Sequence, residues 1–172
     1  MRVVIIGGTG HVGTFLVPRL VEAGHKVICI SRQLSNPYLT NQSWDSVEHI
    51  IIDRVKSEEE NTFGQQIKNL NPEVVIDMIC FTQESAQHLV ESLSGSIRHF
   101  LHCGTTWVHG HSELVPTMES QPRKPFGEYG IRKAAIESYL LSVSETQDFP
   151  ATILHPGHIV GPGWVPVNPA GN

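Results

Sequence analysis

The run Tyr129-Gly130-Ile131-Arg132-Lys133 places a phenol and an ammonium four positions apart, which on a helix is a single face. A tyrosine titrates near ~10 in water, so proton transfer near neutral pH calls for a neighbouring positive charge that favours the phenolate. Lys133 is the residue placed to supply it. Such a pair still needs a hydroxyl that holds the reacting oxygen beside the phenol, and Thr105, just past an apolar run that reads as a strand, is the candidate. The three together suit removal of a hydroxyl proton while hydride leaves the same carbon, or the reverse on a carbonyl.

Hydride chemistry of this kind requires a carrier, and the N-terminal segment has the features to hold one. In Gly7-Gly8-Thr9-Gly10-His11-Val12-Gly13, glycines 7, 10 and 13 keep G-x-x-G-x-x-G spacing directly after the apolar run Val3-Val4-Ile5-Ile6 and at the mouth of an amphipathic segment. Glycine permits the tight turn, the approach of backbone N–H groups to a pyrophosphate, and close packing of helix on strand. The helix N-terminus adds unpaired donors and a partial positive charge. Contacts to a dinucleotide are therefore expected from Gly7, Thr9, Gly10, His11, Val12 and Gly13. After the second apolar run stand Ser31 and Arg32, where an acidic residue would accept from the ribose hydroxyl of NAD. A guanidinium and a hydroxyl suit the 2′-phosphate of NADP better, which favours NADP over NAD; the alternative is that Arg32 is a solvated loop residue. Asp53-Arg54, after the third run, falls where the adenine edge would lie, with a turn or capping role as the other reading of Asp53.

Short apolar runs alternating with helix-length segments are the pattern of βαβ units. Strands are expected at 3–6, 26–30, 47–52, 74–79, 99–103 and 151–155, each apolar enough for burial on both faces. Helices are expected at 10–23, 57–70, 83–94 and 129–145, with Gly24 as a left-handed stop and Pro18 as a slight kink in the first. Glu58, Glu59 and Glu60 would occupy a solvated first turn. The fold class that follows is α/β, a doubly wound parallel sheet of the Rossmann type in a single three-layer domain over residues 1–160. Residues 161–172 read as a loop leading toward a substrate domain that is absent or truncated. The stretch from Thr105 to Glu128 is long, polar and rich in Pro and Gly, as binding or lid segments are.

The run Phe100-Leu-His-Cys-Gly-Thr-Thr-Trp-Val-His-Gly110, together with the glycine loop, Asp53-Arg54, the Tyr/Lys pair and Pro156-Gly157 through Gly163, resembles the extended short-chain dehydrogenase/reductases of the NAD-dependent epimerase/dehydratase family. The resemblance implies catalytic roles for Thr105, Tyr129 and Lys133. It also implies cofactor contacts from Tyr129, Lys133 and Pro156, and hydride transfer by an oxidoreductase or epimerase on a hydroxyl or carbonyl substrate such as a nucleotide sugar. A homodimer paired through the Tyr/Lys helix is the oligomeric expectation. Two positions depart from the pattern: His109 stands where the family usually has Tyr, and His155 where an Arg commonly precedes Pro-Gly. Thr106 and Trp107, in place of an acidic pair, argue against dehydration. Family members normally continue for well over a hundred residues more, so a non-catalytic dinucleotide-binding fragment or nucleotide-sensing module is the alternative.

Composition narrows the remaining classes. In 172 residues, 12 basic against 17 acidic side chains give a net charge of −5 and no basic run that would track nucleic acid. No apolar stretch is long enough for a signal segment or a membrane span, so a cytoplasmic protein is expected. Cys29, Cys80 and Cys103 lie in apolar runs and read as buried free thiols. His109 and His111, near His102 and Cys103, lack the spacing of a full metal-ligand set, so no metal is expected. Trp44 and Trp107 read as core or rim packing.

Overall fold

A computed structural model of the chain describes residues 1–163. The expectations for the tail beyond Gly163, including Trp164 and Val165, lie outside the described residues.

Six strands form one fully parallel sheet in the order β3-β2-β1-β4-β5-β6: β1 (Arg2–Ile6), β2 (Lys26–Ser31), β3 (Glu48–Ile51), β4 (Val74–Asp77), β5 (His99–Cys103) and β6 (Ala151–Leu154). Both faces are covered, which is why the central strands are apolar at every position rather than at alternate ones. On β1, Val4 and Ile6 enter a core shared with Phe63, Leu89, Phe100, Ile136 and Leu140, while Val3 and Ile5 enter a second core with Val17, Val27 and Cys29. Helix α1 (His11–Glu22) packs with a 3-10 turn (Gln42–Ser46) beside the second core. Helices α3 (Phe63–Lys68), α4 (Gln83–Leu93) and α5 (Gly127–Gln147) pack side by side against the first. This is the doubly wound three-layer arrangement expected. The strand order reverses direction between β1 and β4, and at that switch point the crossovers diverge and leave a crevice beyond the carboxyl ends of the strands.

The fold departs from the sequence reading in three places. The helix expected over 57–70 is two short ones, α2 (Arg54–Glu59) and α3, separated at Asn61, which takes a left-handed φ of 54°. Asp53 caps α2 by accepting from the Lys56 N–H, so helix begins upstream, and the three glutamates end the helix instead of opening it. Second, β3 and β6 are only partly buried, because they are the two edges of the sheet. Third, Cys103 is half-buried rather than buried, although all three cysteines are free thiols as expected. Gly24 does stop α1, with φ of 80°.

Among the described residues, no helix is long and apolar enough to cross a membrane, and no group of three or more His, Cys, Asp or Glu side chains could hold a metal ion.

Candidate active site

The glycine loop lies at the carboxyl end of β1, where the Gly7 N–H donates to the Ile30 carbonyl at 2.9 Å and ties the loop to the end of β2. Gly7 has φ of 83°, a conformation in which a Cβ is strained. Gly13 serves a different need: a Cβ there would lie 1.8 Å from the Gly8 carbonyl oxygen, so α1 can rest on the loop only with glycine at this position. Gly10 is the N-cap of α1 and offers no side-chain acceptor, and the first turn holds no acidic residue. The amides of Val12 and Gly13 precede the first Thr14-to-Gly10 helix bond and point out of the N-terminal end of α1. A cradle of backbone donors at a glycine turn and helix N-terminus fits a pyrophosphate. Beside it, a cleft of about 270 Å³ is lined by His11, Val12, Phe15, Tyr38 and Val160.

The end of β2 adjoins this loop. The Ser31 hydroxyl donates to the Gln33 carbonyl at 2.8 Å, and the hydroxyls of Thr9 and Ser35 share a hydrogen bond of 2.7 Å. Arg32 is exposed and pairs with no carboxylate among the described residues. Asp53 is exposed at the end of β3 and caps α2. Arg54 contradicts the expectation of a place beside an adenine. Its guanidinium is buried and donates twice to Asp77 at 2.9 and 3.0 Å, with Nε on Glu58 at 2.7 Å. Asp77 is fully buried at the end of β4, so the cation is committed to neutralising it.

Thr105, Tyr129 and Lys133 converge at the carboxyl ends of β4 and β5. Thr105 caps a 3-10 turn (Thr106–His109), accepting from the Trp107 N–H at 3.3 Å, and its side chain acts to lower the pKa of the Tyr129 phenol. Lys133, one turn further along α5, is buried and donates to the Cys80 carbonyl at 2.7 Å and the Cys103 carbonyl at 2.8 Å. Its ammonium lies 5.1 Å from the centre of the Phe81 ring and 6.0 Å from that of Tyr129. Burial lowers the Lys133 pKa. Burial also raises the Tyr129 phenol above its ordinary value, partly offset by Thr105. With two of its three N–H groups turned to the carbonyls of Cys80 and Cys103, the Lys133 ammonium is clamped beside the Tyr129 ring.

Around the trio, Trp107 stacks on Phe126 with ring centres 4.9 Å apart and meets Tyr129 edge-on at 6.0 Å. Pro156 holds the turn through its carbonyl, which accepts from the Thr106 N–H at 3.2 Å. A polar cavity of about 330 Å³ opens between this turn and the following connection, lined by Thr106, His109, Ser112, Thr117 and Gln121 among others. Sequence reasoning missed Glu137, which is buried one turn beyond Lys133 and accepts from both Arg123 and His155; its i, i+4 spacing from Lys133 was the available signal.

The comparisons with known proteins agree with this architecture. A profile of the NAD dependent epimerase/dehydratase family matches residues 3–172. The 2'-dehydrokanamycin reductase of Streptomyces kanamyceticus is 29% identical over 137 residues, covering 80% of this chain and 37% of that protein. The dTDP-6-deoxy-L-talose 4-dehydrogenase (NAD(P)(+)) of Kitasatospora kifunensis is 25% identical over 171 residues, covering 94% of this chain and 54% of that one. Among solved structures, a UDP-N-acetylglucosamine 4-epimerase from Methanobrevibacter ruminantium superposes with a TM-score of 0.80 at 21% identity, over 99% of this chain and 59% of that chain. The chain thus spans 37% and 54% of the length of the two curated relatives. With the parallel sheet, the glycine cradle and the Thr/Tyr/Lys site in one chain, and the family profile matched from residue 3 onward, the protein belongs to the NAD dependent epimerase/dehydratase family.

Proposed function

We propose that this chain provides the cofactor-binding and proton-transfer machinery of an NAD(P)-dependent oxidoreductase or epimerase acting on a hydroxyl or carbonyl group, with a nucleotide sugar as the substrate class. The observation that carries this reading is the convergence of Thr105, Tyr129 and Lys133 at the same end of the sheet as the glycine cradle, with Lys133 clamped between the ends of β4 and β5. The substrate class is supported by relatives whose names specify UDP- or dTDP-linked sugars.

A bound nicotinamide would supply the hydride acceptor or donor. In the oxidative direction the Tyr129 oxygen removes the proton of the substrate hydroxyl, and in the reductive direction it returns that proton to the substrate oxygen. The Thr105 hydroxyl donates to the same oxygen and fixes it beside the phenol. Lys133 keeps one N–H beyond its two carbonyl bonds, which suits a ribose hydroxyl. Arg32, exposed at the end of β2, supports NADP over NAD, and the free thiols fit a reducing cytoplasmic setting.

Titration with NADPH and NADH, followed by turnover on carbonyl and nucleotide-sugar panels, tests the proposal. Tyr129→Phe should leave cofactor affinity within about threefold, since the phenol touches the reacting oxygen and not the pyrophosphate. Turnover should fall by ~10²–10⁴. Equal turnover in the variant refutes the assignment. Binding with no wild-type turnover on any panel member favours the second reading, a nucleotide-sensing module.

A further inference from the structure

The two positions at which the sequence departs from its family pattern, 46 residues apart, meet in space. His109 Nε2 lies 3.2 Å from His155 Nδ1, and His155 Nε2 lies 2.9 Å from Glu137 Oε2. Glu137 is buried, and its other oxygen accepts from Arg123 Nε at 2.9 Å and from an Arg123 terminal nitrogen at 2.6 Å. Arg123 is itself fixed by donating to the carbonyls of Glu119 and Gln121. The chain of contacts links three elements: the 3-10 turn that begins at Thr105, the end of β6, and the middle of α5.

Bonding rules settle the protons. A carboxylate only accepts, so His155 must carry its proton on Nε2. A neutral His155 then has a bare Nδ1, and His109 must donate to it through Nε2–H. That leaves His109 Nδ1 bare in the neutral chain, and this atom is buried without a hydrogen-bond partner among the described residues. One added proton leaves the bond between the imidazoles intact, because it still has one donor and one acceptor. A second proton puts N–H against N–H and breaks it.

We propose that His109 and His155, backed by Glu137, act as one proton-linked tether that positions the Thr105 turn against α5. Within the turn, Thr105 to Gly110 are joined by the hydrogen bonds Val108 N–H to the Thr105 carbonyl and Gly110 N–H to the Trp107 carbonyl. The charged groups that act on the imidazole pair are Glu137 of α5 and Arg123 and Glu119 of the connection. Burial, then Arg123, then His155 hold the His109 pKa below the ordinary imidazole value, so the tether is closed at neutral pH and opens only in acid. His109 and His155 are thus positioning residues that act through Thr105. That role in catalysis rests on the proposed function, whereas the tether itself can be tested without turnover.

Long-range proton–nitrogen NMR of the histidine rings, with the assigned Trp107 indole N–H as reporter of the turn, is the test. At neutral pH both His109 and His155 should show the Nε2–H tautomer. On acidification the Trp107 signal should move as the hydrogen bond between the two rings is lost. His155→Arg keeps a donor for Glu137 but removes the acceptor for His109, and His109→Tyr keeps a donor for His155 but removes the second imidazole. Each should abolish the acid response of Trp107. An Nδ1–H tautomer on either ring in wild type, or an unchanged Trp107 response in both variants, overturns the proposal. If the variants do not fold, the wild-type tautomers decide it. Absence of turnover refutes the proposed function and leaves these readouts untouched.

Discussion

Substitution of Gly13 by alanine isolates the cofactor cradle from the rest of the fold. Helical backbone accepts alanine, so the effect comes from the added methyl alone. Its carbon would lie 1.8 Å from the Gly8 carbonyl oxygen and 2.4 Å from the carbonyl carbon, both backbone atoms that no side-chain rotation can move. Retreat to 3.0 Å, the shortest separation that real Cβ atoms tolerate, displaces the start of α1 by about 1.2 Å. A hydrogen bond of ~2.9 Å stretched by that amount passes the ~3.5 Å limit, so the amides of Val12 and Gly13 lose their aim on the pyrophosphate. With charge-assisted hydrogen bonds worth about 1.5–3 kcal/mol each, loss of two weakens binding by about 10²- to 10⁴-fold. Overpacking should also destabilise the fold by about 1–3 kcal/mol, or about 2–4 °C of Tm for each kcal/mol. Calorimetric titration with NADPH alongside thermal unfolding by circular dichroism measures both. Gly24→Ala is the control: with φ of 80° and no atom within 4 Å, it carries backbone strain but no clash, and lies at the far end of α1. It should lower Tm and leave affinity alone. Unchanged affinity in Gly13→Ala, or equal loss in Gly24→Ala, refutes the reasoning.

Three other outcomes follow from the geometry. Arg54→Ala strands Asp77, which is fully buried, and should cost about 3–5 kcal/mol in urea unfolding, most of it recovered when Asp77→Asn is added. Arg32→Ala should weaken NADPH by about tenfold or more while leaving NADH affinity unchanged, the signature of a lost 2′-phosphate contact; equal loss for both cofactors contradicts it. His102 is buried, its ring nitrogens have no partner among the described residues, and burial, with Lys133 next, lowers its pKa to about 4. The unfolded chain therefore binds the proton first, near 6.5, so stability is full above that pH and is lost as pH falls from about 6.5 to about 4. The loss approaches roughly 3 kcal/mol, and His102→Gln should flatten this part of the profile in urea titrations across pH.

Much of this protein was determined locally and could be read from the sequence. The central strands announce themselves because burial on both faces leaves no polar position to break the run, and Gly7 and Gly24 mark backbone that only glycine takes without strain. The Tyr129/Lys133 spacing is likewise a property of one helix. What the sequence could not settle depended on partners brought together from different crossovers. Arg54, which looked like a cofactor contact after β3, is drawn inward because the parallel register brings it within reach of Asp77, 23 residues away on β4. Lys133, read as an electrostatic aid to the phenol, is held by the carbonyls of Cys80 and Cys103 at the ends of two strands. His109 and His155 appeared as two unrelated departures from a pattern, and only the packing of β6 beside β5 makes them one hydrogen-bonded pair. Backbone conformation and apolar periodicity are set by near neighbours, so one chain segment reveals them. The protonation and alignment of charged groups are set by whatever the fold places within a few ångströms, and that exists only once the sheet is assembled.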